Sequence, residues 1–389
     1  SEAYSLTLPE TVVRQCKSAL GPLTAFKRMV NSSGKPEFED VPLTGEAFPH
    51  DHAKLPAEIP QTGDRGIRLA DVANGKNTLE EFTAQLTDYD LSCIIRGEGM
   101  GSPKVTAGTA AAFGGVSDTL TALGIPCACC DDGPSGMRLD CGTKAFSLPN
   151  GTLLASTFDR PLMTELFTFM GLEMHTNQVD CLLGPGMNIH RHPLNGRNFE
   201  YFSEDPYLTG EMASAELAGL HSTGAEGTIK HFCGNNRETR RHFLDSVISE
   251  RALREIYLRG FEKAVKKGGA KSVMTTYGQV NGVWTAGNYG LVTGILRDDW
   301  GFDGFTMTDW WANINRRGKA PDKSDFAAMA MAQNDVYMVT ADGAACNDNT
   351  LDSLKSGELT RGELQRNAMN ILRFLTTTHA MKRVMGCDD

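Results

Sequence analysis

Residues 304–311 read Gly-Phe-Thr-Met-Thr-Asp-Trp-Trp, a short apolar run that stops at the carboxylate of Asp309 and is followed by two of the chain's four tryptophans. A run of this length bounded by glycine reads as a strand, and a carboxylate at its carboxyl end is either a cap or a reactive group in a ring-shaped pocket. Similar runs recur at 92–95, 125–130, 179–183, 227–230, 272–276 and 335–339, with helical patterns between them. Thr78-Leu79-Glu80-Glu81 and Thr360-Arg361-Gly362-Glu363 are capping boxes. Leu253, Ile256, Tyr257, Phe261, Ala264 and Val265 form one apolar stripe that ends at Lys266-Lys267-Gly268-Gly269. Alternating strands and helices predict parallel βα units, and the economical closure is an α/β fold of the TIM-like (β/α)8 barrel type over residues 66–389. Only seven strands are legible, one short of closure.

Residues 1–65 differ. One short helix begins at the capping box Thr7-Leu8-Pro9-Glu10, and a poorly periodic run through Pro42, Pro49, Pro56 and Pro60 follows. This predicts an N-terminal extended linker or wrapping arm.

Composition narrows the function. The 389 residues are 40 % hydrophobic and 22 % charged, ordinary for a globular enzyme. No apolar run approaches the roughly 20 residues that span a bilayer, so no membrane role is expected. A net charge of -10 without clustered Lys or Arg argues against nucleic acid as a partner. Ten cysteines are scattered, and Cys127-Ala128-Cys129-Cys130 sits in an apolar stretch without metal-finger spacing. Buried free thiols and a reducing, cytoplasmic location are the expectation, with no secretory signal at the start.

In a parallel barrel the residues just past each strand's carboxyl end converge on one mouth. Here those positions hold Asp131, Asp132 and Arg138 after the second run, GPGMNIHRHP and Arg197 after the third, and His231, Asn235, Asn236 and Arg241 after the fourth. Tyr277 and Asp309 follow the fifth and sixth. Taken singly, Asp132 before Gly-Pro is a turn residue and His231 a core histidine; their shared placement is what argues for a site. Lys230, Arg138 and Arg241 near Asp309 would keep that carboxylate ionised, as a nucleophile needs, and would donate to hydroxyls. Trp310 would offer an apolar face to a sugar ring.

The segments DGPSGMR (132–138), GPGMNIHRHPLNGRNFEYFSEDPYLTG (184–210), KHFCGNNRETRR (230–241), VMTTYGQVNG (273–282) and GFTMTDWW (304–311) together resemble the catalytic barrel of glycoside hydrolase family 3, the group of retaining β-glucosidases and relatives. The resemblance runs from about residue 70 to the C-terminus. It implies that Asp309 is the nucleophile of a covalent glycosyl-enzyme on a terminal β-linked sugar, β-D-glucose by default. It also implies that Asp132, Arg138, Arg197, Lys230, His231, Arg241 and Tyr277 hold that sugar, and that no cofactor is needed.

Retaining hydrolysis also requires an acid/base carboxyl group roughly 5–5.5 Å from the nucleophile. In family β-glucosidases it usually comes from a separate α/β sandwich domain, the partner the resemblance implies here, in a sandwich-first order. The family's single-domain hexosaminidases instead use an Asp/His pair in a segment reading KHFPGHG, and KHFCGNNRETRR departs from that. Glu98, Glu200, Glu204 and Glu238 are internal candidates, but Glu204-Asp205-Pro206 reads as a helix start and Glu238 as an arginine partner. Two rival readings stand beside this one. His190 and His192 could supply two zinc ligands of a metal-dependent barrel hydrolase, with His231 and Asp309 completing the set. Alternatively, the chain is an inactive or incomplete carbohydrate-binding half.

Overall fold

The computed structural model describes residues 26–30, 37–41, 55–315 and 319–387. The capping box at Thr7 lies outside them. Within the expected arm, Phe26–Val30 and Glu37–Val41 pair as an antiparallel hairpin, which the poor periodicity did not announce. Downstream, the arm is tied to the helix Arg361–Leu375. Ile59 N–H donates to Gln365 Oε1 at 2.9 Å, and the Ile59 carbonyl accepts from Gln365 Nε2 at 2.8 Å and Arg361 Nη1 at 3.0 Å.

Eight strands form the barrel: β1 (Arg96–Glu98), β2 (Ala111–Gly114), β3 (Cys127–Asp132), β4 (Cys181–Leu183), β5 (Glu226–Phe232), β6 (Ser272–Thr275), β7 (Phe305–Met307) and β8 (Tyr337–Thr340). Their order is β7-β6-β5-β4-β3-β2-β1-β8, and a parallel bridge from Met307 to Val336 joins the two ends. All neighbours are parallel except at β2, which runs against both β1 and β3. The barrel expectation therefore holds, with a mixed sheet in place of an all-parallel one.

Two strand expectations need correction. The run at 92–95 belongs to the helix Asp88–Ile94, which Thr87 and Asp90 open as a capping box, so its apolar residues follow a helical period. The strand comes just after, as Arg-Gly-Glu. Its charges are hidden by partners: Arg96, 1 % exposed, donates to Asp348 Oδ2 from Nε at 2.6 Å, and Glu98 pairs with Lys104 at 2.5 Å. The unseen eighth strand is β2, whose Ala-Ala-Phe-Gly lacks the branched residues that mark strands.

Consecutive strand residues enter different apolar clusters: Cys130, Leu183 and Met274 one, Cys129, Leu182 and Val273 the other. This period-two alternation is that of a sheet buried on both faces. The boxes at Thr78 and Thr360 cap helices as expected. The stripe from Leu253 forms a π-helical turn, Leu253–Tyr257, running into Arg259–Lys266. Asp205 caps Pro206–His221, with Pro206 in its first turn, the start read at Glu204-Asp205-Pro206. Among the described residues no helix is long and apolar enough to cross a membrane, and all nine described cysteines are free thiols.

Candidate active site

The carboxyl ends of the strands surround a cavity of about 280 Å³. Asp309, two residues past the end of β7, and the expected residues Asp132, Arg138, Arg197, Lys230, His231, Arg241, Tyr277 and Trp310 all line it. Asp132 is placed by a tight turn. Arg138 N–H donates to the Asp132 carbonyl at 2.9 Å and Gly136 N–H to Gly133 O at 3.1 Å. Gly133 has φ +127°, and a Cβ there would lie 1.7 Å from the Gly136 carbonyl oxygen, so the turn requires glycine.

Asp309 is 6 % exposed. Its Oδ1 accepts from Trp310 N–H at 2.8 Å, while Oδ2 has no hydrogen-bond partner among the described residues and lies 3.7 Å from His231 Nε2. Burial pushes its pKa up to about 6; the nearby charges of Arg197 and Lys230, the Trp310 N–H and the Tyr277 hydroxyl limit the rise. The expectation that Lys230, Arg138 and Arg241 hold this carboxylate ionised therefore changes in two respects. Desolvation outweighs the cations, and Arg197 rather than Arg138 or Arg241 is the principal one. Arg138 is largely exposed and makes a two-pronged pair with Asp140, both contacts at 3.1 Å. Arg241 pairs with Glu238 at 3.0 Å and stacks over the Tyr277 ring at 4.4 Å.

Lys230 is 2 % exposed and donates to Asp132 Oδ1 at 2.8 Å. Burial works to raise the Asp132 pKa, but the charge and hydrogen bond of Lys230 outweigh it and hold this carboxyl below its ordinary value. His231 is pushed well below the usual histidine range by burial and then by Arg197, Lys230 and Arg241, so its ring is neutral. Asn235 Nδ2 donates to the Tyr201 hydroxyl at 3.0 Å; His231 Nδ1 lies 3.2 Å from that hydroxyl and 3.3 Å from Asn188 Oδ1, and its Nε2 faces Asp309.

None of the four glutamates weighed as an internal acid lines the cavity. Glu98 accepts from Ser102, Lys104 and Gly343, and Glu200 from Arg197. Glu204 is exposed at its helix start, and Glu238 accepts from Asn235 and Arg241. His190 and His192 do not line the cavity, and no group of three or more His, Cys, Asp or Glu able to hold a metal gathers among the described residues. Sequence reading missed seven of the lining residues, among them Met100, Asp140 and Trp311. The doubled tryptophan was a signal for the last; the other two sit in loops without a pattern.

Carboxylates, cations, a histidine and a phenol thus gather at the mouth of an α/β barrel. Residues 62–374 match the glycosyl hydrolase family 3 N terminal domain, and the chain belongs to that family. It is 67 % identical over 390 aligned residues to a beta-glucosidase of Ruminococcus albus, covering all of this chain and 41 % of that one. The crystal structure of a beta-glucosidase from Paenibacillus barengoltzii superposes with a TM-score of 0.89 at 53 % identity, over 94 % of this chain and 41 % of that chain. Beta-glucosidase 3B from Thermotoga neapolitana in complex with glucose does so at 0.72 and 37 %, over 80 % of this chain and 44 % of that one. The chain thus spans less than half the length of these relatives.

Proposed function

We propose that this chain is the barrel part of a retaining, exo-acting β-glucosidase that releases terminal β-D-glucose through a covalent glycosyl-enzyme on Asp309. The observation that carries the reading is the buried carboxylate of Asp309, with one oxygen pinned by a backbone N–H and the other 3.7 Å from His231 Nε2, lining the barrel-mouth cavity. At neutral pH a carboxyl group with a pKa of about 6 is mostly ionised, yet poorly solvated, which suits a nucleophile. Its attack on the anomeric carbon breaks the glycosidic bond and expels the aglycone oxygen. Water then attacks the same anomeric carbon, giving its proton to the acid/base, and releases glucose together with the Asp309 carboxylate. Asp132, Lys230, His231 and Arg197 hold the sugar hydroxyls, with Tyr277, Arg241, Arg138 and Trp310 completing the walls.

The leaving oxygen needs a proton, and the two other carboxylates lining the cavity are poor donors. Asp132 is kept ionised by Lys230, and Asp140 is engaged by Arg138. We therefore place the acid/base on an α/β sandwich domain or chain outside this one, with residues 1–65 as linker and 66–389 as barrel. The second reading, an incomplete half inactive alone, rests on the same shortage of a proton donor. The free thiols support a reducing, cytoplasmic location.

Intact-mass measurement tests this. The chain is incubated with 2,4-dinitrophenyl 2-deoxy-2-fluoro-β-D-glucoside, whose leaving group needs no acid. A one-to-one adduct mapping to Asp309 and absent in Asp309→Asn is expected. An adduct elsewhere overturns the nucleophile assignment; none with this chain, but one once the sandwich part is supplied, favours the incomplete half.

A further inference from the structure

Asn235 follows β5 closely, three residues past its last residue Phe232, yet it does not line the cavity. It is only 2 % exposed, so its amide has to find partners inside the chain. It finds two. Nδ2 donates to the Tyr201 hydroxyl at 3.0 Å and to Glu238 Oε1 at 3.0 Å. A carboxylate oxygen accepts, which fixes the amide with its nitrogen on that side, and both hydrogens of the one NH2 group are then committed.

Each partner stands behind a different part of the cavity wall. Tyr201 is fully buried and meets the His231 ring edge-on, with centroids 6.1 Å apart and its hydroxyl 3.2 Å from Nδ1. Asn188 already holds the backbone of His231, accepting from its N–H and donating to its carbonyl, both at 2.9 Å, so Tyr201 bears on the ring and not on the strand. On the other side, Glu238 Oε2 accepts from Arg241 Nη1 at 3.0 Å, and Arg241 lies over the Tyr277 ring at 4.4 Å. His231, Arg241 and Tyr277 all line the cavity. A line of contacts thus runs behind the wall from His231 to Tyr277, and its two halves meet on the Asn235 amide. Tyr201, Asn235 and His231 are each 2 % exposed or less, so this junction is enclosed by the chain itself and does not depend on what covers the barrel mouth.

We infer that Asn235 is a positioning residue that orients His231 through Tyr201 and Arg241 through Glu238, so that one side chain outside the cavity sets two parts of the sugar-binding wall together. The inference rests on the β-glucosidase reading of the site and adds to it a residue that acts only through others.

The test is the second-order constant for labelling of this chain by 2-deoxy-2-fluoro-β-D-glucosyl fluoride, read by intact mass. This reagent carries no aglycone, so the constant reports the sugar wall and Asp309. Asn235→Ala should label about tenfold more slowly, the scale of two lost buried hydrogen bonds. Asn235→Leu keeps the side chain's bulk without a donor and should be equally slow; packing alone would let it restore what alanine loses. Tyr201→Phe, which removes only the hydroxyl, should cost about fivefold in the wild-type background. In whichever Asn235 variant folds, judged by its urea transition, the same change should cost less than about twofold, because the contact it breaks is already gone. Labelling of Asn235→Leu within about twofold of wild type overturns the inference, as does a Tyr201→Phe loss that is undiminished in the Asn235 variant. Failure of wild type to label overturns instead the reading of the site on which the inference rests.

Discussion

Replacing Asp309 by asparagine should stabilise the fold while it abolishes turnover, and the gain should grow with pH. Burial raises this carboxyl from 3.8 to about 6. The folded chain therefore holds a proton that the unfolded chain has already released, and stability falls as pH rises through that window. Above pH 6 the full cost applies: a shift of about two units at 1.36 kcal/mol each gives about 3 kcal/mol. At pH 4.5 the same two pKa values leave only about 1 kcal/mol. Asparagine carries no charge, and its Oδ1 can still accept from Trp310 N–H, so it escapes the cost without losing that bond. Urea unfolding of both forms at pH 7.5 and pH 4.5, followed by tryptophan fluorescence, measures the difference. For a chain this long 1 kcal/mol shifts Tm by only about 1 °C, so denaturant midpoints resolve the effect better than melting. A variant less stable than wild type at both pH values, or a gain no larger at pH 7.5 than at pH 4.5, would show that Arg197 and Lys230 compensate the buried charge fully, and would refute the reasoning.

The same titration should govern the chemistry: labelling by the activated fluoroglucoside should rise with pH and level off above an apparent pKa of about 6, and a rate independent of pH between 5 and 8 would exclude Asp309 as the ionising group. Lys230→Ala should weaken glucose binding by roughly 1.5–3 kcal/mol, because it removes a buried charged donor and leaves Asp132 without its partner; titration calorimetry showing less than a threefold change in Kd would count against that pairing as a sugar contact. Asp131, fully buried, is pushed up to about 8 by burial. It too holds its proton when folded, so Asp131→Asn should flatten the loss of stability between about pH 4 and pH 8, and urea midpoints that fall equally in both forms would refute this.

What was legible in the sequence is what sterics and periodicity encode. The strands at 305–308 and 272–276 were read to within a residue because their apolar residues have few alternatives, and the boxes at Thr78 and Thr360 because a cap is local chemistry. β1 was misplaced because Arg96 and Glu98 look like surface residues until Asp348 and Lys104 arrive from distant segments. β2 was invisible because Ala-Ala-Phe-Gly carries almost no strand preference; its pairing with β1 and β3 is imposed by the barrel.

At the site, the sequence could name the groups but not their energies. Position after a strand brought nine of them to one cavity, since the barrel converts that position into a shared mouth. It could not say that Arg138 turns away to Asp140, or that burial would dominate the titration of Asp309, because both depend on which atoms are near and how much water remains. The same limit applies to the Trp pair. One-dimensional reading treats neighbours 310 and 311 alike, and the left-handed turn at 311 separates them, sending one ring into the core and leaving the other half-exposed at the mouth.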